Sequence, residues 1–172
     1  AEVIGGLLTN SLALLSDAAH MATDTAGLVI ALVAVRLARR PPDARRTFGY
    51  ARLEALGALA NGVLLLGVAV YILWEAVGRF REPPPVAATG MLVIAVAGLL
   101  VNLIAMRLLA AGSSESLNVK GAYLEVWADM VGSLGVLIAA VLIKATGWQV
   151  VDPILAVLIG LITGDMELWL TI

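Results

Sequence analysis

"SDAAHMATDTAGLVIALVAV", residues 16–35, sets the single histidine of the chain, His20, between two carboxylates, Asp17 and Asp24, and then runs on as hydrocarbon. Beyond Thr25 the stretch holds only Ala, Gly, Leu, Val and Ile. Joined to "SLALL" before it, it spans Ser11 to Arg36, long enough to cross a bilayer, which takes about 20 mostly apolar residues. The whole chain has the same character. Of its 172 residues 61% are hydrophobic and 14% charged, against about 25% charged in soluble domains, and its mean hydropathy is +0.99. This composition gives an all-α integral membrane protein. The net charge of −2 says little, because the solvent-facing loops are short, and nothing in the sequence supports a nucleic-acid partner; the absence of cysteine excludes disulfides and thiolate metal sites.

Outward from that helix, the sequence reads as a six-helix transmembrane bundle whose first helix is incomplete. Residues 1–9 are the end of the first helix, in a chain that opens without Met inside an apolar stretch and shows no signal peptide. The second helix is expected over Ser11–Arg36, the third over Ala51–Arg79, the fourth over Gly90–Leu109 and the fifth over Val119–Ala145. "REPPPVAATG" (81–90) breaks the pattern, since proline is not tolerated inside a helix. "AAGSSESLN" (110–118) is a polar loop. The sixth helix starts at "DPILAVLIGLI" (152–162), with Asp152 as its N-cap and Pro153 at its first position. The helical domain occupies residues 1–164. Residues 165–172 form a C-terminal tail. Arg36, Arg39, Arg40, Arg45, Arg46 and Arg52 are six of the 11 basic residues and surround one loop, which the positive-inside rule makes cytoplasmic. Alternation then puts "REPPP" outside, "GSSESLNVK" inside and "TGWQ" outside.

The polar groups inside the spans carry the functional reading. Residues four apart share a helix face, so His20 and Asp24 point the same way, with Asp17 on the same stripe. Glu125 and Asp129 form a second such pair, and His20-x3-Asp24-x2-Gly27 is echoed by Glu125-x3-Asp129-x2-Gly132. The two helices run in opposite directions, as in inverted repeats that enclose a site near the midplane. An ionised group in hydrocarbon costs on the order of 3 kcal/mol or more, so these groups need a reason. If the two faces meet, His20, Asp24, Glu125 and Asp129 offer one nitrogen and three oxygen ligands, a set suited to tetrahedral Zn²⁺. The competing reading is interhelical hydrogen bonding between neutral polar groups. Asp17 stays open between a supporting role and an outer vestibule. Asn61 and Asn102 read as interhelical glue, Glu75 and Arg79 as a salt bridge, and Glu54 as a partner of Arg52 and Arg46. Depth matters too. At about 1.5 Å per residue Asp24 lies roughly 18 Å before Arg36, whereas Glu125 and Asp129 lie roughly 8 and 14 Å after Lys120. The pairs match in depth only if the second helix projects into the cytoplasm or the fifth begins deeper, and Arg36 to Arg40 favour the first.

"SLALLSDAAHMATD" (11–24), "TFGYARLEALGALANG" (47–62), "LNVKGAYLEVWADMVGSLGV" (117–136) and "DPILAVLIGLI" together resemble the cation diffusion facilitator family over nearly the whole chain. The resemblance implies a divalent metal transporter that exports its cargo from the cytoplasm in exchange for protons. Zn²⁺ is the first expected cargo and Cd²⁺, Co²⁺, Mn²⁺ and Fe²⁺ are further ones. It implies a metal site of His20, Asp24, Glu125 and Asp129, with Glu125 standing where many zinc exporters have histidine. A third oxygen ligand hardens the site toward Mn²⁺, Co²⁺ and Fe²⁺. It also implies a homodimer in a lipid bilayer, multi-pass, in a prokaryotic inner membrane. Two departures stand out. The resemblance implies a cytoplasmic metal-binding domain after the sixth helix; "TGDMELWLTI" resembles a fragment of an early strand of it, so little or no such domain is expected here, and Asp165 and Glu167 read as a solvated end rather than as remnants of a metal-binding strand. The histidine-rich loop of some members is absent from the fourth-to-fifth connection. No enzyme is expected, because four protein ligands leave no open coordination position. The alternative function is a membrane metal sensor or assembly subunit that moves no cargo.

Overall fold

The computed structural model describes residues 2–38, 52–112 and 117–171, with side chains described for residues 2–37, 55–112 and 119–162. The expected pairing of Glu54 with Arg52 and Arg46, the arginine-rich loop beyond Ala38, and the tail carboxylates Asp165 and Glu167 lie outside those residues. The described residues form six helices, α1 (Glu2–Thr9), α2 (Leu12–Ala38), α3 (Arg52–Arg81), α4 (Ala88–Ala110), α5 (Leu117–Thr146) and α6 (Val151–Thr171). These agree with the sequence to within a few residues, because hydropathy and proline set the same limits. The tail differs. α6 runs through "TGDMELWL" to Thr171, so the strand read into that segment is corrected to helix. Met166, Glu167 and Leu168 favour helix, and a strand there would have no partner among the described residues.

Four helical segments, Leu12–Leu37, Ala55–Arg81, Ala88–Ala110 and Val119–Thr146, are long and apolar enough to cross a membrane, and Val151–Ile162 is a shorter apolar segment. Their outer faces are apolar: Leu28, Leu59, Leu66, Trp74, Val101 and Leu108 are all exposed. Patches this large on a soluble protein mark a binding surface or an aggregation hazard. On helices of this length, lipid is the matching solvent. α2 continues past Arg36 to Ala38.

The chain divides into two compact units, residues 1–19 with 72–172, and residues 20–71. In the first, α5 packs on α4 and on α6, and α1 packs on α4. Its centre is lined by Leu12, Leu14, Met91, Val136, Ala140 and Ala156, all nearly inaccessible. Small residues let the backbones close up. A Cβ on Gly5 would overlap Ile94, and one on Gly98 would come within 2.6 Å of Glu2 Oε1. In the second unit the later part of α2 meets the first part of α3 through two glycines. Gly27 receives the Asn61 amide, whose Oδ1 would lie 2.7 Å from an added Cβ, and Gly57 receives Ile30 and Ala34 at 3.2 Å. Asn61 is therefore interhelical, as its position predicts.

A polar latch closes the end of the first unit where α2 begins. Asp152 is fully buried, and it serves α2 rather than its own helix. Its Oδ1 accepts from Ser11 Oγ at 2.6 Å and from Ala13 N at 3.3 Å, and its Oδ2 accepts from Leu12 N at 2.6 Å. Ser11 Oγ in turn accepts from Leu14 N at 3.1 Å. Helix N-termini leave unpaired N–H groups and favour negative charge, so Asp152 is an N-cap supplied from α6. The expectation that it caps α6 is corrected accordingly. Arg79 completes the latch. It pairs with Glu75 at 3.0 Å, as expected, approaches Asp152 at 3.7 Å, and donates to the Asn10 carbonyl at 2.6 Å. Asn10 holds a positive φ of 56°, which asparagine tolerates better than most residues, and this turns the chain from α1 into α2.

Candidate metal centre

In the unit spanning residues 20–71, His20 and Asp24 lie together on α2. His20 Nε2 stands 3.5 Å from Asp24 Oδ2, and each side chain is 11% exposed. One helical turn separates them, so the backbone alone brings the pair together. Thr23 helps to hold the local backbone, its hydroxyl donating to the His20 carbonyl at 2.7 Å. The pair is about one turn before the Gly27–Asn61 contact between α2 and α3. A nitrogen and an oxygen ligand at i,i+4 on a rigid, half-buried helical face can both reach one cation.

In the other unit α5 carries Glu125 and Asp129 one turn apart, both half-buried. Their charges act on one another, and that of Glu2 from α1 also reaches Asp129. Asp129 Oδ1 is buried and has no hydrogen-bond partner among the described residues. An acceptor left like this is costly in an apolar interior. One turn further along α5, Ser133 Oγ accepts from Asn102 Nδ2 of α4 at 3.4 Å. Asn102 thus plays the interhelical role read from sequence. Asp17 is 1% exposed and faces Gly132 of α5. The outer-vestibule reading of Asp17 does not survive that burial. Glu2 escaped the sequence reading because the helix stub around it gave no periodic partner. An acidic residue within "EVIGGLL" was the available signal.

His20 and Asp24 thus stand one turn apart on α2, and Glu125 and Asp129 one turn apart on α5. The model of the cation efflux transmembrane domain matches residues 1–166, nearly the entire chain. The chain belongs to the cation diffusion facilitator family. The metal cation efflux system protein CzcD of Cupriavidus metallidurans is 60% identical over 161 residues, covering 94% of this chain and 51% of that protein. The zinc transporter ZitB of Escherichia coli is 52% identical over 162 residues, 94% of this chain and 52% of that protein. The cadmium, cobalt and zinc/H(+)-K(+) antiporter of Bacillus subtilis is 47% identical over 163 residues, with 94% and 52% covered. The chain spans about half the length of these relatives. The cation diffusion facilitators are transporters and not enzymes, in line with the sequence reading. Family, bacterial relatives and apolar helices together make this chain a multi-pass integral membrane protein of the bacterial inner membrane.

Proposed function

We propose that this chain carries divalent metal cations out of the cytoplasm in exchange for protons, with Zn²⁺ as the principal cargo and His20, Asp24, Glu125 and Asp129 as its ligands. The observation that carries the reading is the His20–Asp24 pair, 3.5 Å apart and 11% exposed, inside an otherwise apolar helix. The relatives support it: their names speak of cation efflux, of zinc transport and of exchange for H⁺ and K⁺. Cd²⁺ and Co²⁺ are further cargoes on the same ground, and Mn²⁺ and Fe²⁺ on the ground of the third oxygen ligand. The family resemblance adds a homodimer as the working unit.

The cycle follows from competition for the ligands. A cation requires deprotonated carboxylates and a neutral imidazole, so loading from the cytoplasm releases protons. His20 is suited to carry one of them near neutral pH. Rearrangement of the helices exposes the loaded ligands to the other side, and protons arriving there displace the cation.

The test is Zn²⁺ flux in proteoliposomes with and without an imposed pH gradient, for this chain and for Asp24→Ala with Asp129→Ala. Gradient-driven flux that drops to background in the double variant is the expected outcome. Equal flux in the double variant removes the ligand assignment. Metal binding without flux in the unmutated chain replaces transport with the sensor reading.

A further inference from the structure

Asp17 is a deeply buried carboxylate that neither the ligand set nor the Asp152 latch uses. It is 1% exposed, and both of its oxygens lack a hydrogen-bond partner among the described residues. Its position is built rather than accidental. A Cβ at Gly132 would collide with Asp17 Oδ1, so α5 admits the carboxylate only because it presents bare backbone there. The preceding side chain is fixed as well: Ser16 Oγ donates to the Ala156 carbonyl of α6 at 3.1 Å.

The charges around it all have one sign. Glu2 from α1 and Asp129 from α5 act on it, while α6 presents the Ala156 carbonyl and Gly160 to the neighbouring Ser16. On its own helix the next titratable group is His20, three residues on. α1 and α6 carry no basic residue, α2 none before Arg36, α4 none before Arg107 and α5 none between Lys120 and Lys144, and Arg79 of α3 is engaged by Glu75, Asp152 and the Asn10 carbonyl. An unpaired carboxylate in such surroundings takes up a cation or a proton, because ionisation without a partner is too costly. A metal ion needs several converging ligand atoms, and the residue that touches Asp17 from α5 is a glycine. A proton needs one oxygen.

We propose that Asp17 is a proton-binding residue distinct from the cation ligands, which holds a proton while the metal centre is empty and releases it to water when the cation binds. The coupling runs through Asp129. A divalent cation there is the largest local charge, and its field makes ionised Asp17 tolerable. The proposal rests on the exchange reading above and adds to it a second proton carrier, a buried carboxyl beside the ligand set.

The experiment is calorimetric titration of the detergent-solubilised chain with Zn²⁺, in buffers of different ionisation enthalpy, which counts the protons released per metal bound. Asp17→Asn keeps the shape and removes the titrating group. The expected result is Zn²⁺ binding retained in Asp17→Asn, with about one proton fewer released than by the unmutated chain. An unchanged proton count with Zn²⁺ bound overturns the proposal. If the unmutated chain binds Zn²⁺ and releases no protons, the exchange reading fails and takes this one with it. That result is distinct from an equal, non-zero count in both proteins. Asp17→Ser is read in the same way if Asp17→Asn does not fold. If neither variant folds, infrared difference spectra with ¹³C-labelled aspartate decide. A protonated aspartyl band that persists in the metal-free Asp24→Asn, Asp129→Asn double variant supports the proposal, and its absence overturns it.

Discussion

At the scale of single residues, the chemistry of the proposed metal centre turns on Glu125. Its three proposed companions, His20, Asp24 and Asp129, contribute one nitrogen and two oxygens, and the fourth ligand decides how hard the set is. Imidazole suits Zn²⁺, whereas carboxylates serve Mn²⁺ and other hard cations well. Glu125→His should therefore raise the preference for Zn²⁺ over Mn²⁺, measured as the ratio of the two dissociation constants on the same preparation. An unchanged ratio would mean that ligand type at this position does not set selectivity. The i,i+4 spacing made both pairs legible in the sequence, because a helix fixes which residues share a face. The environment of Asp17 was not legible. It depends on α2 meeting α5 at Gly132, a contact between residues far apart in the chain that no local pattern encodes.

Among the helices, the strongest constraint is the cap that α6 supplies to α2. Asp152 accepts two backbone N–H bonds and one hydroxyl bond while wholly buried. Asp152→Ala removes all three and leaves the first N–H groups of α2 without their partner, while Arg79 keeps Glu75 and the Asn10 carbonyl. A lost cap costs about 0.5–2 kcal/mol. The melting temperature in detergent should fall clearly for Asp152→Ala and less for Asp152→Asn, which keeps an acceptor oxygen. Equal melting of all three proteins would mean that the latch carries no stability. A second test concerns α2 against α3. Gly27→Ala drives a methyl into the Asn61 amide and should cost about 1–3 kcal/mol, as overpacking does. Adding Asn61→Ala opens the space, so the penalty of Gly27→Ala should shrink in that background, a coupling that a double-mutant cycle reads directly. The helices themselves were legible because length, hydropathy and proline all pointed the same way. The ownership of Asp152 was misread because "DP" is also a good local start signal, and only the fold shows that its carboxylate turns to a helix some 140 residues away. The strand read into the tail failed for a related reason: a short apolar and acidic segment has no decisive period, and α6 simply continues through it.

For the whole molecule, the direction of transport depends on which ends of the helices face the cytoplasm. Six arginines, from Arg36 to Arg52, cluster around the α2–α3 connection, and basic loops stay on the cytoplasmic side. The Arg79–Asp152–Asn10 latch and the proline-rich 82–87 segment then belong to the external side, where α2 begins and α3 ends. An external latch would hold the ligand-bearing part of α2 at its outer end and leave its long inner extension, through Arg36 to Ala38, in reach of cytoplasmic metal. The chain has no cysteine, so one introduced thiol reports alone. In right-side-out vesicles a membrane-impermeant thiol reagent should modify Glu82→Cys readily, and Ser114→Cys only after the membrane is opened with detergent. The reverse pattern would invert the topology, and export of cytoplasmic metal would become uptake with the same ligands. Labelling of both without detergent would contradict alternation across α4, since one helix cannot place its two ends on the same side. Because α4 is 23 residues long and rises about 1.5 Å per residue, it is long enough to span the hydrocarbon core once, so the two thiols must report opposite faces if it does.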